Sequence, residues 1–253
     1  MPGSKAASDP GDCCRAHHPV AGQGGSAGIG DNSAQATVDG AAAQRRMAKG
    51  RGALLALALL AQASAAVAYL DHAGAGVLRY AEARFGPPAP PRILRWQQQH
   101  PPAASLEALL EAVNAQANSV PAVADAEHWQ QAEYWATPVE FVGSNGGDCE
   151  DYAIAKYLEL RAAGVPVERL RLTYVRALSA QRIENHMVLA YYASPAAEPL
   201  ILDNLNPRVL PVSQRADLVP VFSFNDEDSG RAGVPMVRRW RDLQQRLQAE
   251  RAL

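Results

Sequence analysis

The run Gly146-Gly147-Asp148-Cys149-Glu150-Asp151-Tyr152 constrains the fold more than any other stretch of the chain. Its two glycines allow a sharp turn and the close approach of another backbone. The residues after them take up helical spacing, with Ala153, Ile154, Tyr157, Leu158 and Leu160 on the buried side. Gly164 and Pro166 end that helix, which is predicted over Cys149–Ala163. Three strand-like runs follow, Leu170–Val175, His186–Tyr192 and Leu200–Asp203. Upstream, helices are predicted over Val77–Phe85, Ile93–His100 and Ser105–Gln116, the last capped by Ser105. Gly86–Pro91 reads as a stiff linker, and no long period is visible from Asn118 to Gly147. Val237–Arg251 reads as a C-terminal helix. Helices, then a helix that starts at a cysteine, then an antiparallel sheet make an α+β pattern.

The N-terminal quarter has a different character. Residues 1–46 are rich in Gly, Ala, Ser and Asp, a composition that predicts disorder. Met47 stands just before a basic-apolar pattern, so this leader is either a dispensable extension or a start placed too early. Arg45, Arg46, Lys49 and Arg51 are basic, Ala53–Ala61 is apolar, and Ala66-Val67-Ala68 offers small residues for cleavage. Residues 47–68 therefore read as a signal peptide, with 69–253 as one exported domain. An uncleaved anchor is the alternative. With 24 Lys+Arg against 26 Asp+Glu, nothing favours a nucleic-acid partner.

Export makes cysteine usage informative. Cys13 and Cys14 lie in the leader, and the domain retains only Cys149. A lone thiol in an oxidising compartment has no internal disulfide partner, so it is either a small buried hydrophobe or a working group. Its place at a helix N-terminus favours work, because unpaired N–H groups and the helix dipole stabilise the thiolate. A thiolate nucleophile needs a base and an orienting group. His186 opens one strand-like run and Asp203 closes the next, so antiparallel pairing would bring them to one sheet edge. Taken singly, His186 reads as a strand-end residue and Asp203 as a turn former; their joint order points to a triad.

Asp148, Glu150 and Asp151 crowd this thiol, and negative charge there opposes the thiolate. They either complement the helix N-terminus or hold a hard cation such as Ca²⁺, completed by backbone carbonyls or water.

Four runs carry a family resemblance: Tyr134-Trp135-Ala136-Thr137-Pro138, the stretch from Gly146 through Tyr157, His186-Met187-Val188-Leu189, and Leu202-Asp203-Asn204. They resemble the bacterial transglutaminase-like cysteine proteinases of the LapG-like type, over roughly residues 90–250. The resemblance implies a papain- and transglutaminase-like fold, with the nucleophile at a helix N-terminus packed on an antiparallel sheet. It implies Cys149, His186 and Asp203 as the catalytic triad, and calcium dependence through Asp148, Glu150 and Asp151. It further implies a periplasmic protease that cuts the N-terminal region of a large surface adhesin and so releases biofilm. An inner-membrane receptor for cyclic di-GMP is the implied inhibitor. Trp135 reads as a core aromatic, although the resemblance also offers its indole N–H as an oxyanion donor. A transglutaminase or amidase on the same triad, or a non-catalytic binding module, are the alternatives.

Overall fold

The first helix, α1 (Ala75–Phe85), ends at Gly86, whose φ of 83° suits a residue without a side chain. Helix α2 (Ala89–Gln98) then begins inside the proline-rich segment expected to be a linker. The prolines fall in its first turn, where a missing N–H leaves no hydrogen bond unmade. Helix α3 (Leu106–Ala117) is capped by Ser105, whose Oγ accepts from Ala108 N–H at 3.2 Å. The aperiodic stretch that follows holds two short helices, α4 (Asp125–His128) and α5 (Pro138–Ser144). Neither is long enough to display a helical repeat. Helix α6 (Cys149–Ala162) follows.

Five strands then form one antiparallel sheet in the order β4-β3-β2-β1-β5. They are β1 (Leu170–Leu178), β2 (Ile183–Tyr191), β3 (Leu200–Leu202), β4 (Leu210–Pro211) and β5 (Leu218–Phe224). The first three were legible in sequence, although β2 starts three residues before His186. Strands β4 and β5 were not, since Pro211 and Pro220 interrupt their patterns. Helix α7 (Val237–Arg251) closes the chain. This computed structural model describes residues 70, 73–99, 103–179, 182–230 and 237–253. The leader and the signal peptide expected over 47–68 lie outside the described residues. Among these, no helix is long and apolar enough to cross a membrane.

Helix α6 is the centre of the packing. It lies on β1 and β2, and α3 and α5 pack against it. Ile154, Tyr157, Leu158 and Leu160 join Leu172, Met187, Leu189 and Leu202 in the main core. Tyr152 and Ala155 instead join a second cluster with Val77, Ile93, Trp96 and Phe141. Every residue from Cys149 to Leu160 is consequently buried, charged ones included. Buried charges demand partners, and Glu159 meets one need by accepting from Trp96 Nε1 at 2.9 Å.

Candidate active site

Two features deliver the chain to Cys149. Thr137 caps α5 reciprocally: its Oγ1 accepts from Glu140 N–H at 3.2 Å, and Glu140 Oε2 accepts from Thr137 N–H at 2.9 Å. Asn145 ends α5 in the left-handed region, at φ 63°. Beyond it, Gly147 occupies a position with no room for a side chain. A Cβ there would stand 2.5 Å from Asp151 Oδ2 and 2.7 Å from the Phe141 ring. Its carbonyl accepts from Val123 N–H at 2.9 Å, tying the segment before α4 to the start of α6.

Cys149 is the first residue of α6 and is fully buried. Its Sγ lies 3.3 Å from Glu150 Oε2, with the thiol as donor. The helix end favours the thiolate here, and the adjacent carboxylate opposes it.

His186 and Asp203 come together because β2 and β3 pair antiparallel, with Leu189 opposite Leu202. His186 Nε2 stands 2.7 Å from Asp203 Oδ1, and both side chains are buried. Asp203 Oδ1 also accepts from Leu205 N–H at 3.0 Å, and Oδ2 accepts from Arg215 Nη2 at 2.6 Å. Burial opposes ionisation of Asp203. The hydrogen bond and charge of His186, with Leu205 N–H and Arg215, outweigh it and hold the carboxyl well below the usual range. Arg215 is fixed in turn by Asp217, at 3.0 Å from Nε and 2.8 Å from Nη2. The main chain of Asp203 is held from α3, where Asn118 Nδ2 donates to its carbonyl at 2.8 Å. Asn114, one turn earlier, donates to the carbonyl of Pro207 at 3.1 Å. Sequence reasoning misses Arg215 altogether. For Asn114 and Asn118, the one available clue is two amides four apart on a single helix face.

Asp148 and Asp151 are joined by a carboxylate from elsewhere. Asp125, buried at the start of α4, places an oxygen within 4.8 Å of oxygens of Asp148 and Asp151. Asp148, Cys149 and Glu150 form a second group of the same compactness. Asp151 accepts from Ala136 N–H at 2.7 Å and from Asp148 N–H at 3.3 Å. Even so, burial, reinforced by the charges of Asp148 and Asp125, raises its carboxyl well above the ordinary range. Buried like charges of this density require a cation or protons to offset them. The Asp125, Asp148 and Asp151 group offers hard carboxylate oxygens alone, the donor type that suits Ca²⁺. Asp125 escapes sequence reasoning because it is far from Cys149 along the chain.

Trp135 is buried in the cluster that contains Cys149, stacked on Phe224 with ring centroids 6.0 Å apart. A core role accounts for the ring. It does not account for the indole Nε1–H, which is buried without a protein acceptor.

The family model for the bacterial transglutaminase-like cysteine proteinase BTLCP matches residues 95–218. LapG of Legionella pneumophila is 35% identical, with a TM-score of 0.56, over 68% of this chain and 95% of that one. The chain belongs to the bacterial transglutaminase-like cysteine proteinases. The α+β architecture is that of this family. Two further structures of Legionella pneumophila LapG match across the same 68% of the chain. The calcium-bound form is 35% identical, with a TM-score of 0.54 and 97% of it covered. The EGTA-treated form is 34% identical, with a TM-score of 0.55 and 95% covered. No curated protein matches. As a transglutaminase-like cysteine proteinase, the chain has a single cysteine among its described residues, Cys149.

Proposed function

We propose that this chain is a calcium-dependent cysteine endopeptidase of the periplasm, with Cys149, His186 and Asp203 as its triad. Its substrate is a large surface adhesin, cut in the N-terminal region, so that cleavage releases biofilm. An inner-membrane receptor for cyclic di-GMP holds the protease inactive. The observation that carries the reading is the buried His186–Asp203 pair at 2.7 Å, in a family of cysteine proteinases whose helix α6 starts at Cys149.

The chemistry follows from the atoms. The ionised Asp203 carboxylate can only accept, so His186 Nε2 carries the ring proton and Nδ1 is the basic nitrogen. Nδ1 takes the thiol proton, and Sγ attacks the peptide carbonyl to form a tetrahedral oxyanion. The backbone N–H of Cys149 and the indole N–H of Trp135 are the donors for that oxyanion. His186 returns the proton to the departing amine, leaving an acyl-thioester. Water, deprotonated by His186, resolves the thioester and regenerates the thiol. Asp203 fixes the imidazole throughout and is itself fixed by Arg215.

Asp125, Asp148, Glu150 and Asp151 would hold the calcium ion. When bound, it supplies positive charge that offsets the carboxylates beside the thiol.

The test incubates purified protein with the N-terminal region of a candidate adhesin and reads the products by mass spectrometry. A cut backbone that disappears in Cys149→Ala is the expected result. Cross-linking with loss of ammonia would assign a transglutaminase instead. A Cys149→Ala variant that still cuts would refute the triad. For the metal, calorimetric titration with Ca²⁺ should show binding to the wild type. Asp125→Asn should weaken it as much as Asp148→Asn; equal affinity in Asp125→Asn and the wild type would remove Asp125 from the site.

A further inference from the structure

Residues 134–137 lead into α5 and belong to no helix or strand, yet from Trp135 onwards they are buried. Buried N–H and C=O groups that no helix or sheet takes up must find other partners. Charged side chains supply them here. Tyr134 N–H donates to Asp125 Oδ2, Ala136 N–H to Asp151 Oδ1 at 2.7 Å, and Thr137 N–H to Glu140 Oε2 at 2.9 Å. The carbonyl of Trp135 accepts from Arg246 Nη2 at 2.5 Å. The peptide that joins Trp135 to Ala136 is thus gripped at both ends, by Asp151 from the first turn of α6 and by Arg246 from α7.

We infer that Arg246 is a positioning residue for Trp135: by holding the Trp135 carbonyl, it aims the indole N–H at the oxyanion formed at Cys149. The inference rests on the reading above, in which Cys149 is the nucleophile and Trp135 an oxyanion donor.

The fork of Arg246 suits the task. Nη1 donates to Glu140 Oε2 and, at 2.8 Å, to Tyr134 Oη, while Nη2 reaches the Trp135 carbonyl. Tyr134 Oη donates in turn to Glu140 Oε1 at 2.6 Å, and the guanidinium lies 4.5 Å from the centroid of the Tyr134 ring. Glu140 is buried and already held by its capping box with Thr137, so it anchors one arm of the fork. A planar guanidinium serves both acceptors at once from two nitrogens at a fixed separation, whereas an ammonium is a single point.

Helix α7 also holds the ring. Trp240 stands edge-on to the Trp135 ring with centroids 6.5 Å apart, and Phe224 stacks on it at 6.0 Å. Such contacts tolerate a range of offsets, so they fix the plane of a ring better than its place within that plane. The grip on the carbonyl removes this remaining freedom. The indole Nε1–H is left with one direction, buried and with no protein acceptor, in the cluster that contains Cys149.

The test uses the full chain in Ca²⁺ buffer, as wild type, Arg246→Lys, Trp135→Phe, their double variant and Cys149→Ala. p-Nitrophenyl acetate acylates Sγ through a tetrahedral oxyanion and releases p-nitrophenolate. Iodoacetamide alkylates Sγ by displacing iodide, with no oxyanion. Ester rates are taken after subtracting that of Cys149→Ala, and alkylation is read on the peptide that contains Cys149. Lysine keeps a cation for Glu140 and gives up the second arm. Arg246→Lys should keep its thermal midpoint and alkylation rate but acylate about tenfold more slowly. Trp135→Phe should show the same split, and the double variant should be no slower than Trp135→Phe. Wild-type acylation by Arg246→Lys beside slow acylation by Trp135→Phe overturns the inference and leaves the oxyanion reading standing. Wild-type acylation by Trp135→Phe refutes that reading and the inference with it. Additive losses in the double variant, or equal slowing of Arg246→Lys with both reagents, mark a role that does not pass through Trp135 and overturn the inference. If Arg246→Lys does not fold, a crystal structure of the wild type inhibited by a peptide aldehyde decides. A hemithioacetal oxygen on Trp135 Nε1, with Arg246 still on the Trp135 carbonyl, supports the inference; an oxygen out of reach of Nε1 overturns it.

Discussion

Replacing Arg215 with alanine should cost more stability than any surface change in this protein, and the cost should depend on pH. The Arg215 side chain is 2% exposed, and its Nη2 meets Asp203 Oδ2 at 2.6 Å. Its removal strands a fully buried carboxylate that retains only His186 and the Leu205 N–H. Breaking a buried pair from one side costs roughly 3–5 kcal/mol. Against a total of about 5–15 kcal/mol for a domain, that is a large share. The Arg215–Asp217 contacts add little, because Asp217 is 47% exposed and such pairs contribute about 0–1 kcal/mol. Asp217→Asn is therefore the control. The pH dependence follows from the depressed carboxyl of Asp203. A group whose folded value lies below its unfolded value, about 3.9 for aspartate, contributes stability that is complete above the unfolded value. That contribution disappears as pH falls through the folded value. The loss in Arg215→Ala should thus be full at pH 7 and distinctly smaller at pH 3. Urea unfolding of both proteins at the two pH values measures it. A loss below about 1 kcal/mol at pH 7, where a surface pair would fall, or one of equal size at both pH values, would refute the argument.

Two further outcomes are expected. Gly147→Ala should destabilise by about 1–3 kcal/mol through overpacking, because its Cβ collides with Asp151 and Phe141. It should also weaken Ca²⁺ binding in calorimetry, whereas unchanged affinity would separate Gly147 from the carboxylate site. Glu250 accepts from Thr137 Oγ1 at 2.5 Å, and burial above all pushes its carboxyl up to about 7. A carboxyl raised in the folded state costs nothing below its unfolded value and progressively more as pH rises towards the folded one. Glu250→Gln should therefore stabilise by about 2–3 kcal/mol at pH 8 and by little at pH 4; a gain independent of pH would exclude ionisation as its cause.

The helix from Cys149 was legible because a glycine turn, an apolar repeat and a Gly-x-Pro stop are all local. β1, β2 and β3 were legible for the same reason, and from their order so was the approach of His186 to Asp203. The apolar repeat marked one buried side of α6, yet every residue from Cys149 to Leu160 is buried, Lys156 and Glu159 included, because the sheet, α3 and α5 all pack on this helix. Pro90 and Pro91 likewise suggested a linker where they open a helix.

By itself, then, the sequence determined the α+β order of elements, the cysteine at a helix start and the carboxylates flanking it, all properties of neighbouring residues. Only the tertiary structure decided that Asp125 joins Asp148 and Asp151, that Arg215 locks Asp203, and that Asn114 and Asn118 hold the turn beside it. Each of these depends on a charge or amide brought into a buried space by distant segments. The demand for such a partner is set by desolvation, which exists only once the chain has folded.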